Sequence, residues 1–227
     1  MSADVAKQNE SQTSPLNPQF VALMEHVLES VDQSELAELR KDFHTRLRIT
    51  QTQPENADLV QDLWDFFYDW CVFEQTLPER VGKLKKEEKE LWNHVKGDSM
   101  RGLFTIQKII EKEKRIKCKD LFNSQTYVIS FSDPIESLGI SKGDIIEGRV
   151  VQESMEKKTP IYSFLRRPSY HPDVVHDYIK KKVKQFKKMK DEPTYQNWLW
   201  VLVGMYVKHR LYTHMPVEKI YDDNSRI

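Results

Sequence analysis

The N-terminal part of the chain carries apolar residues at the three- and four-residue spacing of amphipathic helices. The first such stripe predicts a helix near Pro18 and consists of Phe20, Leu23, Met24, Val27, Leu28 and Val31. Asp32 and Glu35 have the spacing of a capping box, which predicts a second helix. After a break at residues 51–54, Asn56 can cap a third helix.

The third helix is predicted to lie in the core because its apolar side is rich in aromatic residues. Its apolar residues are Leu59, Leu63, Phe66, Phe67, Trp70 and Phe73. Asp58, Asp62, Asp65 and Asp69 form a second stripe on the same helix. Such a stripe is either a site for a metal ion or a polycation, or a solvated face opposite the apolar one. We favour the solvated face, because no His or Glu is evident on a neighbouring helix to complete a metal site.

The middle of the chain changes to short β-branched and aromatic runs separated by turn residues, which is typical of strands. A short charged helix over residues 85–96 precedes them. Strands are predicted at residues 103–110, 115–121, 126–131, 145–151 and, as a possible fifth, 161–165. Four or five short strands within this length suit a small barrel of the SH3 or OB type, or a curled antiparallel sheet.

The C-terminal part returns to helical spacing. Ile179, Val183, Phe186 and Met189 predict an amphipathic helix that is rich in lysine. A last helix over residues 194–212 is aromatic and has apolar residues on more than one face, so we expect it to pack on both the basic helix and the β unit.

These patterns predict a mostly helical α+β protein with helical parts around a central β unit. The expected divisions are a disordered lead (1–16), a helical part (17–98), the β unit (99–168), a basic and aromatic two-helix part (169–214) and a tail (215–227).

Charge is distributed unevenly, although the net charge of the 227 residues is zero. Residues 1–98 hold 19 acidic and 11 basic residues, whereas residues 99–227 hold 16 acidic and 24 basic ones. Residues 166–190 alone carry a net charge of +7. This basic stretch either binds a polyanion or forms a solvated face that docks on the acidic half. Candidate partner-binding residues are Arg149, Arg166, Arg167, Lys180, Lys181, Lys184, Lys187 and Lys188.

The sequence offers no recognisable catalytic or metal-binding motif, so we predict no catalytic residue, no metal ligand and no cofactor. The His176-Asp177 pair is too short a pattern to indicate a phosphohydrolase. Cys71 and Cys118 are predicted to be buried thiols, as expected in a reducing cytoplasm. No apolar run reaches the length that spans a bilayer.

Four segments resemble those of a group of bacterial proteins in which an aromatic helix precedes a small barrel. They are FFYDWCVFE (66–74), residues 84–92, KDLFN (119–123) and GDIIEGRVV (143–151). The resemblance covers about residues 60–151 and implies a bacterial, cytosolic helix-plus-barrel protein with no assigned activity. Some members carry a Cys-rich SEC-C zinc motif, which this chain lacks.

The leading functional prediction is therefore a non-catalytic cytosolic binding or adaptor protein that presents its basic helix to a protein or polyanionic partner. The alternatives are a nucleic-acid-binding protein that uses Lys180 to Lys190 and the β unit, and an enzyme with an unfamiliar site. An anionic membrane surface would offer the basic helix the same chemistry as a nucleic acid.

Overall fold

The computed structural model describes residues 17–49, 57–81, 84–132, 138–156 and 158–223. The predicted disordered lead, the break at residues 51–54 and the Asn56 cap lie outside these ranges. Within them the chain is an α+β protein in which helices flank a six-stranded mixed sheet.

Among the described residues, five helices precede the sheet, and their core positions follow the sequence pattern. They are α1 (Asn17–Glu29), α2 (Gln33–Leu47), α3 (Ala57–Phe73), α4 (Leu77–Val81) and α5 (Lys86–Asp98). The Asp32 carboxylate caps α2 by accepting the backbone N–H of Ser34 at 2.8 Å. Glu35 forms an ion pair with Arg80 on α4. The apolar residues of α1 to α3 form one buried cluster with Trp92 and Val95 of α5.

The sheet contains six strands, one more than the largest number expected. They are β1 (Ser99–Ile110), β2 (Arg115–Asp120), β3 (Thr126–Ser130), β4 (Ile145–Glu156), β5 (Thr159–Phe164) and β6 (Ser169–His171). The additional strand, β6, is three residues long and follows a proline, so it carries no alternating pattern that sequence reasoning could detect.

Strand pairing joins five of these strands in a ring. The pairing order β1-β2-β3-β5-β4 is completed by antiparallel pairing between β4 and β1, while β6 extends the sheet from β4. β3 and β5 are parallel, so the sheet is mixed and the predicted alternative of a curled antiparallel sheet is wrong. Phe104, Ile129 and Phe164 belong to a buried apolar cluster contributed by the strands of the ring. Gly148 permits the approach of Phe164, because a Cβ at this position would lie 2.8 Å from the ring.

Two helices and a short terminal one follow the sheet: α6 (His176–Met189), α7 (Glu192–Leu211) and α8 (Val217–Ile220). α7 contributes Trp200 and Val203 to the cluster of the N-terminal helices. Its Leu199 and Leu202 belong to a different cluster, which contains α6 residues and Leu103 of β1. α7 thus packs on α6 and on the sheet, as its all-round apolar pattern predicts, and also on the N-terminal helices.

Candidate functional site

The lysine-rich face of α6 is exposed to solvent. Ile179, Val183 and Phe186 are buried against α7 and the sheet, which directs the intervening lysines outward. The exposed lysines of this helix include Lys180, Lys181, Lys184, Lys187 and Lys188. Met189, predicted to share the apolar side, is 59% exposed.

The sequence left open whether this face docks on the acidic N-terminal half. The buried side of α6 instead packs against α7, Leu103 of β1 and Ile145 of β4. Lys182 is less exposed than the other lysines of α6, and it forms an ion pair with Asp223 near the C-terminus. The five exposed lysines therefore remain on the surface.

Four of these lysines border a groove with an apolar floor. Lys180, Lys184, Lys187 and Lys188 line a volume of about 460 Å³ together with Leu121 and Val183. The Lys187 ammonium donates to Ser124 Oγ at 2.9 Å, in the turn between β2 and β3. The basic helix is thereby attached to the end of β2.

β2 continues the positive charge away from this groove. Ile116 and Cys118 are buried, so the alternate residues Lys117 and Lys119 face outward in line with Leu121. A strand rises about 3.3 Å per residue, so this row from Lys117 to Leu121 is roughly 13 Å long. We call Lys117, Lys119, Lys180, Lys181, Lys184, Lys187 and Lys188 the basic surface. The two β2 lysines were not among the predicted partner-binding residues, although their alternation with apolar residues is present in the sequence.

Two of the arginines expected to extend the lysine face do not belong to it. Arg149 and Arg166 are 8% and 3% exposed, and both bind the Asp69 carboxylate of α3. Their Nε atoms lie 2.8 Å and 2.9 Å from its oxygens. Their prediction as exposed binding residues is wrong, because a guanidinium that is already paired and covered cannot reach a partner. Arg167 is partly exposed and lies 3.9 Å from Asp62.

Asp69, Arg149 and Arg166 belong to a buried ionic cluster that joins the N-terminal helices to the sheet. Its members are Asp69, Arg101, Glu147, Arg149 and Arg166. Arg166 bridges the two carboxylates, because its Nη2 also lies 2.8 Å from Glu147. Arg101 binds Glu147 at 2.8 Å and stacks on Trp200, with its Cζ 3.5 Å from the ring centroid. The cluster thus links α3, β1, β4 and α7.

The guanidinium groups keep both carboxylates of this cluster ionised. Burial alone would raise the pKa of Asp69, but Arg149 and Arg166 lower it to about 2. Burial likewise opposes ionisation of Glu147, and Arg166 and Arg101 shift its pKa below the usual value. Both carboxylates of the cluster are therefore ionised in the interior, where they face three guanidinium groups.

The aspartate stripe of α3 is not the solvated face that the sequence suggested. Asp69 is buried in the ionic cluster, and Asp62 is 4% exposed, with Arg210 at 3.1 Å. Asp65 is half-buried, and burial raises its pKa to about 6. The prediction of a solvated face is wrong because arginines from other parts of the chain cover these aspartates. They come from β4, from the segment after β5, and from α7. The side chain of Asp58 lies outside the described residues.

The described part of the chain contains no group of three or more His, Cys, Asp and Glu side chains arranged to hold a metal ion. Cys71 and Cys118 are buried free thiols, as predicted, and burial raises the pKa of both. His176 of the His-Asp pair contacts the backbone oxygen of His171 through Nε2 at 2.9 Å. This contact gives His176 a structural role in joining α6 to β6.

None of the described helices is long and apolar enough to cross a bilayer. Comparison of the chain with protein-family models, with curated proteins and with solved structures found no match. Any statement about function therefore depends on the surfaces and contacts described above.

Proposed function

We propose that the protein is a non-catalytic nucleic-acid-binding protein and that its basic surface contacts the phosphate backbone. The observation that carries this proposal is the exposed row of α6 lysines joined to the outward lysines of β2. Lysines placed along such a track can neutralise successive phosphates and release the counterions bound to them.

The composition of the surface favours a nucleic acid over a protein partner. Protein interfaces are depleted in lysine and enriched in aromatic residues and arginine at their centres. The basic surface has the opposite character, because its charge comes from lysine. Among the described residues, an acidic protein partner would have only Leu121 and Val183 in the groove and the exposed Met189 as aliphatic anchors beside these lysines.

The arrangement of the strands supports the same proposal. We infer that the ring of β1, β2, β3, β5 and β4 is a small, partly open barrel of the OB type. The β2–β3 region of such barrels is used to bind oligonucleotides, and here that region carries Lys117 and Lys119. The likeness to these barrels concerns the fold alone.

A cytoplasmic location, in a bacterial cell, is part of the proposal. It is supported by the two buried free thiols, since a reducing compartment keeps cysteines unpaired, and by the partial resemblance to bacterial helix-plus-barrel proteins.

The test is the salt dependence of binding to a fluorescent single-stranded DNA and to its duplex, measured by anisotropy. We expect log K to fall linearly with log salt concentration. The triple variant Lys180→Gln, Lys184→Gln, Lys188→Gln should reduce the slope for duplex by about 3, one unit for each lost phosphate contact.

The control is Lys41→Gln, which removes one exposed lysine from α2 and should leave the slope unchanged. Absence of binding at low salt, or a slope that the triple variant does not alter, would contradict the proposal. Binding of an acidic protein that the triple variant abolishes, without binding of DNA, would support the adaptor alternative instead.

A further inference from the structure

One partly exposed aromatic side chain, Phe122, lies in the turn that the basic helix contacts. The preceding residue, Leu121, lines the groove of the basic surface. The Lys187 ammonium lies 3.4 Å from the Leu121 carbonyl oxygen and donates to Ser124 Oγ at 2.9 Å. Lys187 therefore contacts the turn on both sides of Phe122.

Hydrogen bonds to a buried carboxylate fix the turn that carries Phe122. Asp120 is 2% exposed, and its Oδ1 accepts the backbone N–H groups of Phe122 and Asn123, each at 2.7 Å. A Cβ on Gly102 would clash with the other oxygen of this carboxylate, so the arrangement depends on glycine in β1. The backbone beneath the ring is thus ordered before any ligand arrives, which lowers the entropic cost of binding there.

The Phe122 ring rests on a buried tyrosine. Phe122 and Tyr195 of α7 are stacked, with ring centroids 4.4 Å apart and planes at 7°. Tyr195 is 1% exposed, whereas Phe122 is partly exposed. Because Tyr195 covers one face of the Phe122 ring, the exposed surface of this ring belongs to its other face and its edge. Aromatic rings that meet solvent beside positive charge are the side chains on which nucleic-acid bases stack.

The groove offers bases a second apolar contact. Leu121 and Val183 form its floor, and lysines of α6 line the rest of it. In a duplex the bases are stacked on one another, so phosphates and sugars alone would meet this floor. A single strand can turn its bases toward the floor and the Phe122 ring while its phosphates stay on the lysines.

We propose that the basic surface binds single-stranded nucleic acid in preference to duplex, with one base stacked on Phe122 and neighbouring phosphates on the lysines of α6. This inference rests on the proposed function, because it assigns a class of nucleic acid to the same surface. Bases and phosphates are common to DNA and RNA, so the preference concerns the strand and not the sugar.

The test compares the affinities of three fluorescent probes by anisotropy at about 0.15 M salt. They are a thymidine oligomer of about 12 nucleotides, a uridine oligomer of equal length, and the duplex of the DNA oligomer with its complement. We expect a single strand to bind about tenfold more tightly than the duplex. Tenfold corresponds to about 1.4 kcal/mol, which lies within the range measured for stacking of one base on an aromatic side chain. The tighter of the two single strands identifies the preferred sugar.

Phe122→Leu keeps an apolar side chain on Tyr195 but removes the flat ring. It should weaken single-strand binding about tenfold and change duplex binding less than twofold. Phe122→Tyr retains the ring and should bind the single strand as the wild type does. The matched control is Tyr68→Leu, which removes a partly exposed aromatic ring from α3, outside the basic surface, and should change single-strand affinity less than twofold.

Photochemical crosslinking of the wild-type protein to an oligomer that contains iodouracil supplies a measurement that needs no variant. We expect mass spectrometry to locate the crosslink at Phe122. A duplex that binds as tightly as both single strands, or a crosslink confined to residues outside the turn, overturns this inference and leaves the proposed function standing. Absence of binding by all three probes overturns both.

Discussion

The buried ionic cluster and the basic surface are both rich in positive charge, but they use it in opposite ways. In the cluster, Arg101, Arg149 and Arg166 are covered, paired with carboxylates and stacked on aromatic rings. On the surface, Lys180, Lys181, Lys184 and Lys188 of α6 are solvated. The difference follows from the side chains, because a planar guanidinium is weakly hydrated and can stack, whereas an ammonium is strongly hydrated. Arginine here joins parts of the fold, and lysine is available for a partner.

Removing a carboxylate from the cluster should have the largest effect. Asp69→Asn leaves Arg149 and Arg166 buried without their shared counter-charge, and we expect a loss of about 3–5 kcal/mol of unfolding free energy. Urea denaturation at neutral pH measures it. The control is Asp98→Asn, whose carboxylate is about half-exposed and should change stability by less than about 0.5 kcal/mol. If the two variants lost the same unfolding free energy, burial of the ionic cluster would have no influence on the stability of the fold.

The pH dependence of stability should reveal Asp65, the aspartate of α3 whose pKa is raised. Because its folded pKa is about 6, against about 3.9 when unfolded, folding favours the protonated form. Stability should therefore fall as pH rises from about 4 through 6, by up to about 3 kcal/mol. Asp65→Asn should be more stable than wild type at pH 8 and equally stable below about pH 4. If the difference in unfolding free energy between Asp65→Asn and the wild type stayed constant from pH 4 to pH 8, the raised pKa of Asp65 would be refuted.

Replacing an arginine of the cluster by lysine, and a lysine of the basic surface by arginine, tests the difference between these two regions directly. Arg166→Lys keeps the charge but loses the planar group that bridges Asp69 and Glu147, so we expect about 2 kcal/mol of destabilisation. The reciprocal change, Lys184→Arg on the surface, should alter stability by less than about 0.5 kcal/mol. Both are measured by urea denaturation. Similar effects at the two sites would show that the cluster needs only charge.

The smallest effect is expected for the triple variant Lys180→Gln, Lys184→Gln, Lys188→Gln. These lysines repeat at four-residue spacing, and like charges at that spacing destabilise a helix by about 0.2–0.5 kcal/mol per pair. The variant should thus be slightly more stable at low salt, and the gain should disappear as salt screens the charges. Destabilisation by more than about 1 kcal/mol would instead make these lysines part of the fold.

Much of the helical architecture was predictable because each helix buries one stripe of its own residues. Five strands were also predicted, with boundaries that differ by a few residues. What could not be predicted depends on contacts between distant residues. Asp69 looks solvated on its own helix, and only the position of β4 and of the segment after β5 shows that it is covered. Lys117 alternates with apolar residues in the sequence, but only the contact of Lys187 with the turn after β2 places this strand beside the lysines of α6.

The separation of the cluster's residues along the chain affects how the protein folds. Glu147 and its partner Arg101 are 46 residues apart, and Asp69 and Arg166 are 97 residues apart. Contacts of such long range form slowly compared with helices. Asp69 is synthesised early, but its pair of arginine partners is complete only after Arg166 has been made. Until then α3 must keep a hydrated carboxylate next to its apolar side, so we expect the N-terminal helices to reach their final packing only when the ring of strands has closed.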